Sequence, residues 1–355
     1  MNRLLLFIPG PMQVPEAVAE AAKRPLFFHR SEQFNEFRAK LSARVQPLFG
    51  TRSDVLFLPA SGTGAMESAV VNLTSPGEEI IVVVGGTFAE RWTKIANAYG
   101  LTVRVVEVDW RTGARPEDVT GAMDRWPDAK VVYTTWSESS TGVLLELDEI
   151  GEAVRRRNKY LVTDAVSGLA VSPMQMDDWN VDAVVAGSQK GLMLPPGLGV
   201  IAVGPRAWER AKVSTTPRFY WNWESHRDSV PVTPPLSIMF QLDAALDLMD
   251  SLGPGGVYAR RAEVAGKIRD MVERNGLEIF ATRQGNGITA VLAPDGMDVD
   301  RFRRRLELDY SILIAGVLGP LKGKMFRIGH VGQVSDDEVD YFIQSFEKAL
   351  AAETG

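Results

Sequence analysis

Tyr160-Leu161-Val162-Thr163-Asp164 and Val181-Asp182-Ala183-Val184-Val185-Ala186, the second running on into Gly187-Ser188-Gln189-Lys190-Gly191, share one signature. Each is an apolar run rich in β-branched residues, followed by a charged side chain. Runs without polar alternation suit strands covered on both faces, as in a mostly parallel sheet between helix layers. In such sheets ligands collect at the carboxyl ends of the strands, where Asp164 and Lys190 both stand.

The same pattern extends over residues 50–205. Candidate strands are 55–58, 79–84, 102–108, 130–135, 160–164, 182–186 and 199–203, with helical stretches at 66–73, 88–98, 116–123 and 147–157 between them. A βαβα alternation predicts a three-layer α/β domain. Residues 206–235, with Arg218-Phe219-Tyr220-Trp221-Asn222-Trp223 and the prolines at 231, 234 and 235, break any period and read as a long ordered loop. A helix over 236–252 ends at Gly253-Pro254-Gly255-Gly256. Beyond it come a helix at 257–275, strands at 278–281, 287–292, 311–315 and 324–328, and helices at 299–306 and 336–351. The last opens with the capping box Ser335-Asp336-Asp337-Glu338. The chain is thus expected to comprise an arm (1–20), a large α/β domain (21–252) and a small α+β domain (253–355).

Composition narrows the chemistry. The net charge is −6, with 39 basic and 45 acidic residues interspersed, so no basic field points to nucleic acid or an anionic membrane. The absence of cysteine excludes disulfides, thiolate nucleophiles, iron–sulfur clusters and cysteine-ligated zinc. Three histidines make a histidine-rich metal site unexpected, and no metal is assigned. The apolar run Leu4-Leu5-Leu6-Phe7-Ile8 is too short for a signal sequence or a membrane span, so the cytoplasm is the expected location.

A lysine and an aspartate at neighbouring strand ends suit pyridoxal 5'-phosphate (PLP). That cofactor needs an amine for its aldehyde and a carboxylate to keep its ring nitrogen protonated. Other strand ends carry compatible groups. Ser61-Gly62-Thr63-Gly64-Ala65-Met66-Glu67 opens a helix and reads as a phosphate cradle or as an ordinary capped turn. Phe88, after Gly85-Gly86-Thr87, reads as a stacking aromatic or a core residue. Trp136-Ser137-Glu138-Ser139-Ser140-Thr141-Gly142 offers hydroxyls or is a polar turn. Arg327 reads as a fork for a carboxylate or as a solvated strand charge. Their order along the chain favours the ligand reading in each case.

From Pro9-Gly10-Pro11 to Arg327-Ile328-Gly329, the chain resembles the class V aminotransferases, PLP enzymes of fold type I. It is most similar to the alanine–glyoxylate/serine–pyruvate group. Ser139-Ser140-Thr141-Gly142, Thr163-Asp164-Ala165-Val166-Ser167, Gly187-Ser188-Gln189-Lys190 and Pro195-Pro196-Gly197-Leu198-Gly199 carry the resemblance. It implies that Lys190 links the cofactor and shuttles the proton, and that Asp164 pairs with the ring nitrogen. Phe88 and Val166 would cover the two ring faces, with Ser139 near the ring hydroxyl. Thr63, Gly64, Ala65 and Gln189 would hold the phosphate, and Thr233 would reach the phosphate of a neighbouring subunit in a homodimer. Arg327, with backbone near Gly10, would take the substrate carboxylate. Ala65 and Val230 depart from residues common in the family and leave less phosphate support.

The implied reaction moves an amino group from alanine or serine to glyoxylate or pyruvate by ping-pong kinetics. Phosphoserine, aspartate, ureidoglycine and aminophosphonate remain open as donors, with Arg30 and Arg218 as possible extra cations. Desulfurases of the same fold use a cysteine that is missing here. Readings from another class are a nucleotide- or NAD-binding oxidoreductase built on Gly62–Glu67, and a non-catalytic subunit of a larger complex.

Overall fold

The computed structural model describes residues 4–317 and 319–354. The seven-stranded sheet has the order Asp54–Pro59, Leu198–Val203, Ala183–Gly187, Tyr160–Asp164, Val131–Thr135, Glu79–Val84, Thr102–Glu107. Leu198–Val203 runs antiparallel to both its neighbours, and the remaining pairs are parallel. Successive side chains leave a strand on opposite faces. Ile81, Val83 and Val184 therefore join one apolar core, with helices Glu32–Phe49, Pro116–Arg125, Leu147–Arg156 and Leu236–Asp250. Ile80, Val82 and Val185 join the other, with Gly62–Leu73, Glu90–Ala98 and Pro205–Val213. This is the three-layer α/β arrangement expected from the continuous apolar runs.

A five-stranded sheet follows the order Leu5–Phe7, Ile312–Gly316, Met325–Gly329, Ile288–Leu292, Glu278–Ile279. Leu5–Phe7 pairs parallel with Ile312–Gly316, and the other pairs are antiparallel. Helices Gly256–Arg274, Val299–Tyr310 and Asp336–Thr354 cover this sheet around Phe302, Phe326, Phe342 and Phe346. The first strand of the chain thus closes an edge of a sheet made otherwise from its last third. Pro9 and Gly10 follow directly from it.

The loop expected at 206–235 is not a single loop. Pro205–Val213 is helical, with Pro205 in the first turn, where the missing N–H is no loss. Trp223–Asp228 is a second helix, capped by Asn222, whose side chain accepts the Glu224 and Ser225 amides. The aromatic run between them masks both periods. Helix Glu32–Phe49, capped by Ser31 and ended by Gly50 at φ +60°, carries too many charges for its apolar stripe to stand out. Among the described residues no helix is long and apolar enough to cross a membrane.

Candidate active site

Asp164 ends its strand, and its backbone is paired with Val185 of the adjacent parallel strand. Lys190 follows three residues after that neighbour ends. Both side chains are buried, Asp164 at 5% exposure and Lys190 at 9%. They line one cavity of about 220 Å³ together with Phe88, Val166, Gln189, Thr63 and Gly10. The lysine turn is fixed by Ser188, whose hydroxyl donates to the Pro195 carbonyl (2.6 Å) and accepts the Leu198 amide (3.2 Å). Lys190 Nζ donates to the Pro9 carbonyl. Gly10 has φ +123°, and a Cβ there would lie 2.7 Å from Lys190 Cδ, so only glycine permits this approach.

One end of the cavity is built for an anion. Helix Gly62–Leu73 is capped by Ser61, whose hydroxyl accepts the Gly64 amide at 3.3 Å. The Gly62 and Thr63 amides, in the first turn, have no intrahelical acceptor, and the helix dipole adds partial positive charge there. A Cβ on Gly62 would meet Val166 Cγ2 at 2.6 Å, so glycine is also needed here. Arg91 lines the same cavity. Its Nη1 donates to Thr63 Oγ1 at 3.0 Å, and its guanidinium stands 5.1 Å from the Phe88 ring centroid.

Burial sets the charge states. It pushes the Asp164 carboxyl up to about 6, against the pull of the Val166 amide, which Oδ1 accepts at 2.7 Å. It brings the Lys190 ammonium down to about 8, with the Arg327 guanidinium acting in the same direction. The pair therefore combines a carboxylate in need of a cationic partner with an amine close to losing its proton at neutral pH.

An adjoining cavity of about 430 Å³ is shared by Gly10, Phe88 and Lys190 with Arg327 from the small sheet. Arg327 is fixed by its Nε and Nη2, which donate to the Gly316 carbonyl (3.0 and 2.6 Å), and by Nη1, which donates to the Ser139 carbonyl (2.7 Å). Burial brings it down to about 10, which leaves it a cation at neutral pH. Arg303 and Lys322 also line this cavity. Arg303 is already engaged, with the Asp300 carboxylate at 2.9 Å and the Ile314 carbonyl at 3.2 Å.

Some expected residues lie outside the cofactor-sized cavity. Gly64 packs against Trp221, and Ala65 is buried in the helix core beside Gly199. Ser139 is buried and meets the site through its carbonyl, while Ser137, two residues earlier, lines the cavity. Thr233 is exposed and does not line it. Arg218 is no spare cation, since it donates to the carbonyls of Ala211, Ser214 and Thr216. Sequence reasoning missed Arg91 and Glu138. Arg91 stands three residues after Phe88, one helical turn on, and that spacing could have found it.

The family description Aminotransferase class-V matches residues 12–300. The chain is 35% identical to a soluble hydrogenase small subunit of Synechococcus sp., over 99% of this chain and 94% of that one. It is 34% identical to a serine–glyoxylate aminotransferase of Methylorubrum extorquens, over 93% of this chain and 87% of that one. The crystal structure of alanine–glyoxylate aminotransferase from Nostoc sp. superposes with a TM-score of 0.93 at 26% identity, covering 99% of this chain and 96% of that one. The strand-end lysine and aspartate, the three-layer sheet that brings them together and the family match over most of the length agree: the chain belongs to the class V aminotransferases and is a transaminase.

Proposed function

We propose that the cavity holds pyridoxal 5'-phosphate and that the protein transfers the amino group of a small L-amino acid, alanine or serine, to glyoxylate or pyruvate. One observation carries this reading: Lys190 and Asp164 line a single buried cavity, with Arg327 on the adjoining wall. The donor set fits the cofactor. Asp164 makes one side-chain hydrogen bond among the described residues, so it can accept from a protonated ring nitrogen. Gln189 Oε1 is buried without a partner, and rotating that amide by half a turn would present a donor instead. The amides at Gly62 and Thr63, with the Arg91 guanidinium, match a phosphate.

When bound, PLP supplies an electron sink for the carbanion left at the substrate Cα and carries the amino group between the two half-reactions. The chain's own residues do the rest. Lys190 would hold the cofactor through Nζ, and its freed neutral amine would be the base that takes the proton at the substrate Cα and the acid that gives it back. Asp164 would keep the ring nitrogen protonated. Phe88 and Val166 would cover the ring faces, and Ser137 would serve its hydroxyl edge. Arg327 forks the α-carboxylate, helped by the backbone at Gly10. Two successive half-reactions through one site give ping-pong kinetics.

Arg303 is engaged by Asp300, which leaves Arg327 to fork the α-carboxylate of a small neutral donor. Thr233, exposed on its own chain, suits contact with the phosphate site of a second copy in a homodimer. The Synechococcus relative is named a soluble hydrogenase small subunit, and this chain has no cysteine that could ligate an iron–sulfur cluster.

The test is spectroscopic. Protein loaded with PLP is expected to be yellow, to lose that band on borohydride reduction with the label on Lys190, and to bleach with alanine or serine before any oxo acid is added. Bleaching by aspartate or phosphoserine alone would reassign the donor. A protein that takes up no PLP would end the reading.

A further inference from the structure

Glu138 is a buried carboxylate that the reaction described above does not use. Glu138, in the two-residue strand Ser137–Glu138, is 4% exposed. Its Oε2 accepts the amides of Phe88 (3.1 Å) and Ala89 (2.9 Å). Its Oε1 accepts the amide (2.9 Å) and the hydroxyl (2.6 Å) of Ser140. The Ser140 hydroxyl in turn accepts the Thr87 amide at 3.1 Å. Two donors on each oxygen favour the carboxylate form, against the burial that pushes the Glu138 carboxyl above its ordinary range.

Three successive amides, 87 to 89, are thus gathered by Glu138 and Ser140. Helix Glu90–Ala98 has no side-chain cap of its own, so this buried anion serves its N-terminus from another part of the fold. The approach is close enough to require Gly86, where a Cβ would sit 2.3 Å from Glu138 Cγ. The next residue of the turn, Ser139, gives its carbonyl to Arg327 Nη1 at 2.7 Å. A single turn therefore grips the Phe88 loop of the large sheet on one side and the Arg327 guanidinium of the small sheet on the other.

We propose that Glu138 is a positioning residue: it sets Phe88 against the cofactor ring and, through Ser139, sets Arg327 against the substrate carboxylate. The proposal rests on the cofactor reading above. Glu138→Gln is the probe, because its amide group would turn N–H donors toward N–H donors. In protein stripped of cofactor, the dissociation constant for PLP is expected to rise roughly tenfold to hundredfold, the effect of losing a charged hydrogen bond. In loaded protein, the KM of the amino donor is expected to rise severalfold.

The deciding measurement is a pair of double-mutant cycles. If Glu138 acts through Phe88, adding E138Q to F88A changes PLP affinity little. If it acts through Arg327, adding E138Q to R327M changes the donor KM little. A merely structural role lowers Tm and leaves the losses additive in both cycles, and that outcome overturns the proposal. Wild-type affinity in E138Q overturns it too, while the cofactor reading stands. Wild-type protein that binds no PLP brings down both. If E138Q does not fold, Ser140→Ala removes one donor to Glu138 and the acceptor of the Thr87 amide, and the same cycles apply to it.

Discussion

The seven-stranded sheet delivers Asp164 and Lys190 from adjacent, hydrogen-bonded strands: the ladder sets Asp164 beside Val185, and the Ser188 bonds fix the short turn that carries Lys190. The five-stranded sheet delivers Arg327 from its third strand and, through the edge strand Leu5–Phe7, Pro9 and Gly10 from the opposite end of the chain. The first wall is made of neighbours in the sheet. The second is made of segments more than 300 residues apart, joined to the first by the Ser139–Arg327 and Lys190–Pro9 bonds. The wall set by one ladder suits bond-making chemistry, which tolerates little displacement. The wall assembled from distant segments suits recognition of a substrate that must enter and leave.

If that division holds, mutations on the two walls separate into different kinetic constants. The largest effect belongs to Lys190→Ala. Turnover should fall by roughly a thousandfold or more, with the far-ultraviolet circular dichroism unchanged and the lysine-linked absorbance gone. Retention of normal turnover would break the comparison outright. Next comes Arg327→Met on the other wall. Losing a charged fork should raise the donor KM by about a hundredfold while PLP affinity, followed by fluorescence titration, stays close to that of the wild type. Equal loss of both would mean that the walls are not separable.

The pH dependence sharpens the first wall alone. Lys190, lowered to about 8 by burial and by Arg327, reacts as the neutral amine, so linkage of PLP to stripped protein should speed up as pH rises toward 8 and then level off. Asp164, raised to about 6 by burial, loses its charge below that value, so PLP affinity should weaken as pH falls through 6. Stopped-flow absorbance from pH 5 to 9 reads both limbs, and a flat profile would contradict these assignments. The smallest effect is that of Ser61→Ala. Removing the cap on the Gly64 amide should lower stability by about 1 kcal/mol and weaken PLP binding severalfold, leaving the donor KM unchanged.

Much of the large sheet was legible because its strands are buried on both faces. Glu79–Val84 and Ala183–Gly187 are nearly unbroken apolar runs, and their ends fall within a residue of where the sequence puts them. Helix Glu32–Phe49 was hidden by its charges, and Pro205–Val213 by the aromatic run that follows it. Within the site, Lys190, Asp164, Phe88, Val166, Thr63, Gln189 and Gly10 line one cavity. Ser137 takes the place expected of Ser139 at the cavity wall, because the strand ends at Glu138 and the turn that follows presents the Ser139 carbonyl to Arg327 instead of its hydroxyl to the cavity.

The amino-acid order by itself determined the βαβ alternation and the strand ends at which reactive side chains stand. These follow from local periodicity. Tertiary structure alone decided that Pro9 meets Lys190, that Arg91 reaches Thr63, and that Glu138 gathers the amides of another loop. Such contacts join segments dozens to nearly two hundred residues apart. Their partners are set by how the sheets and loops pack and by the requirement that buried polar groups find acceptors and donors, which leaves no period in the sequence.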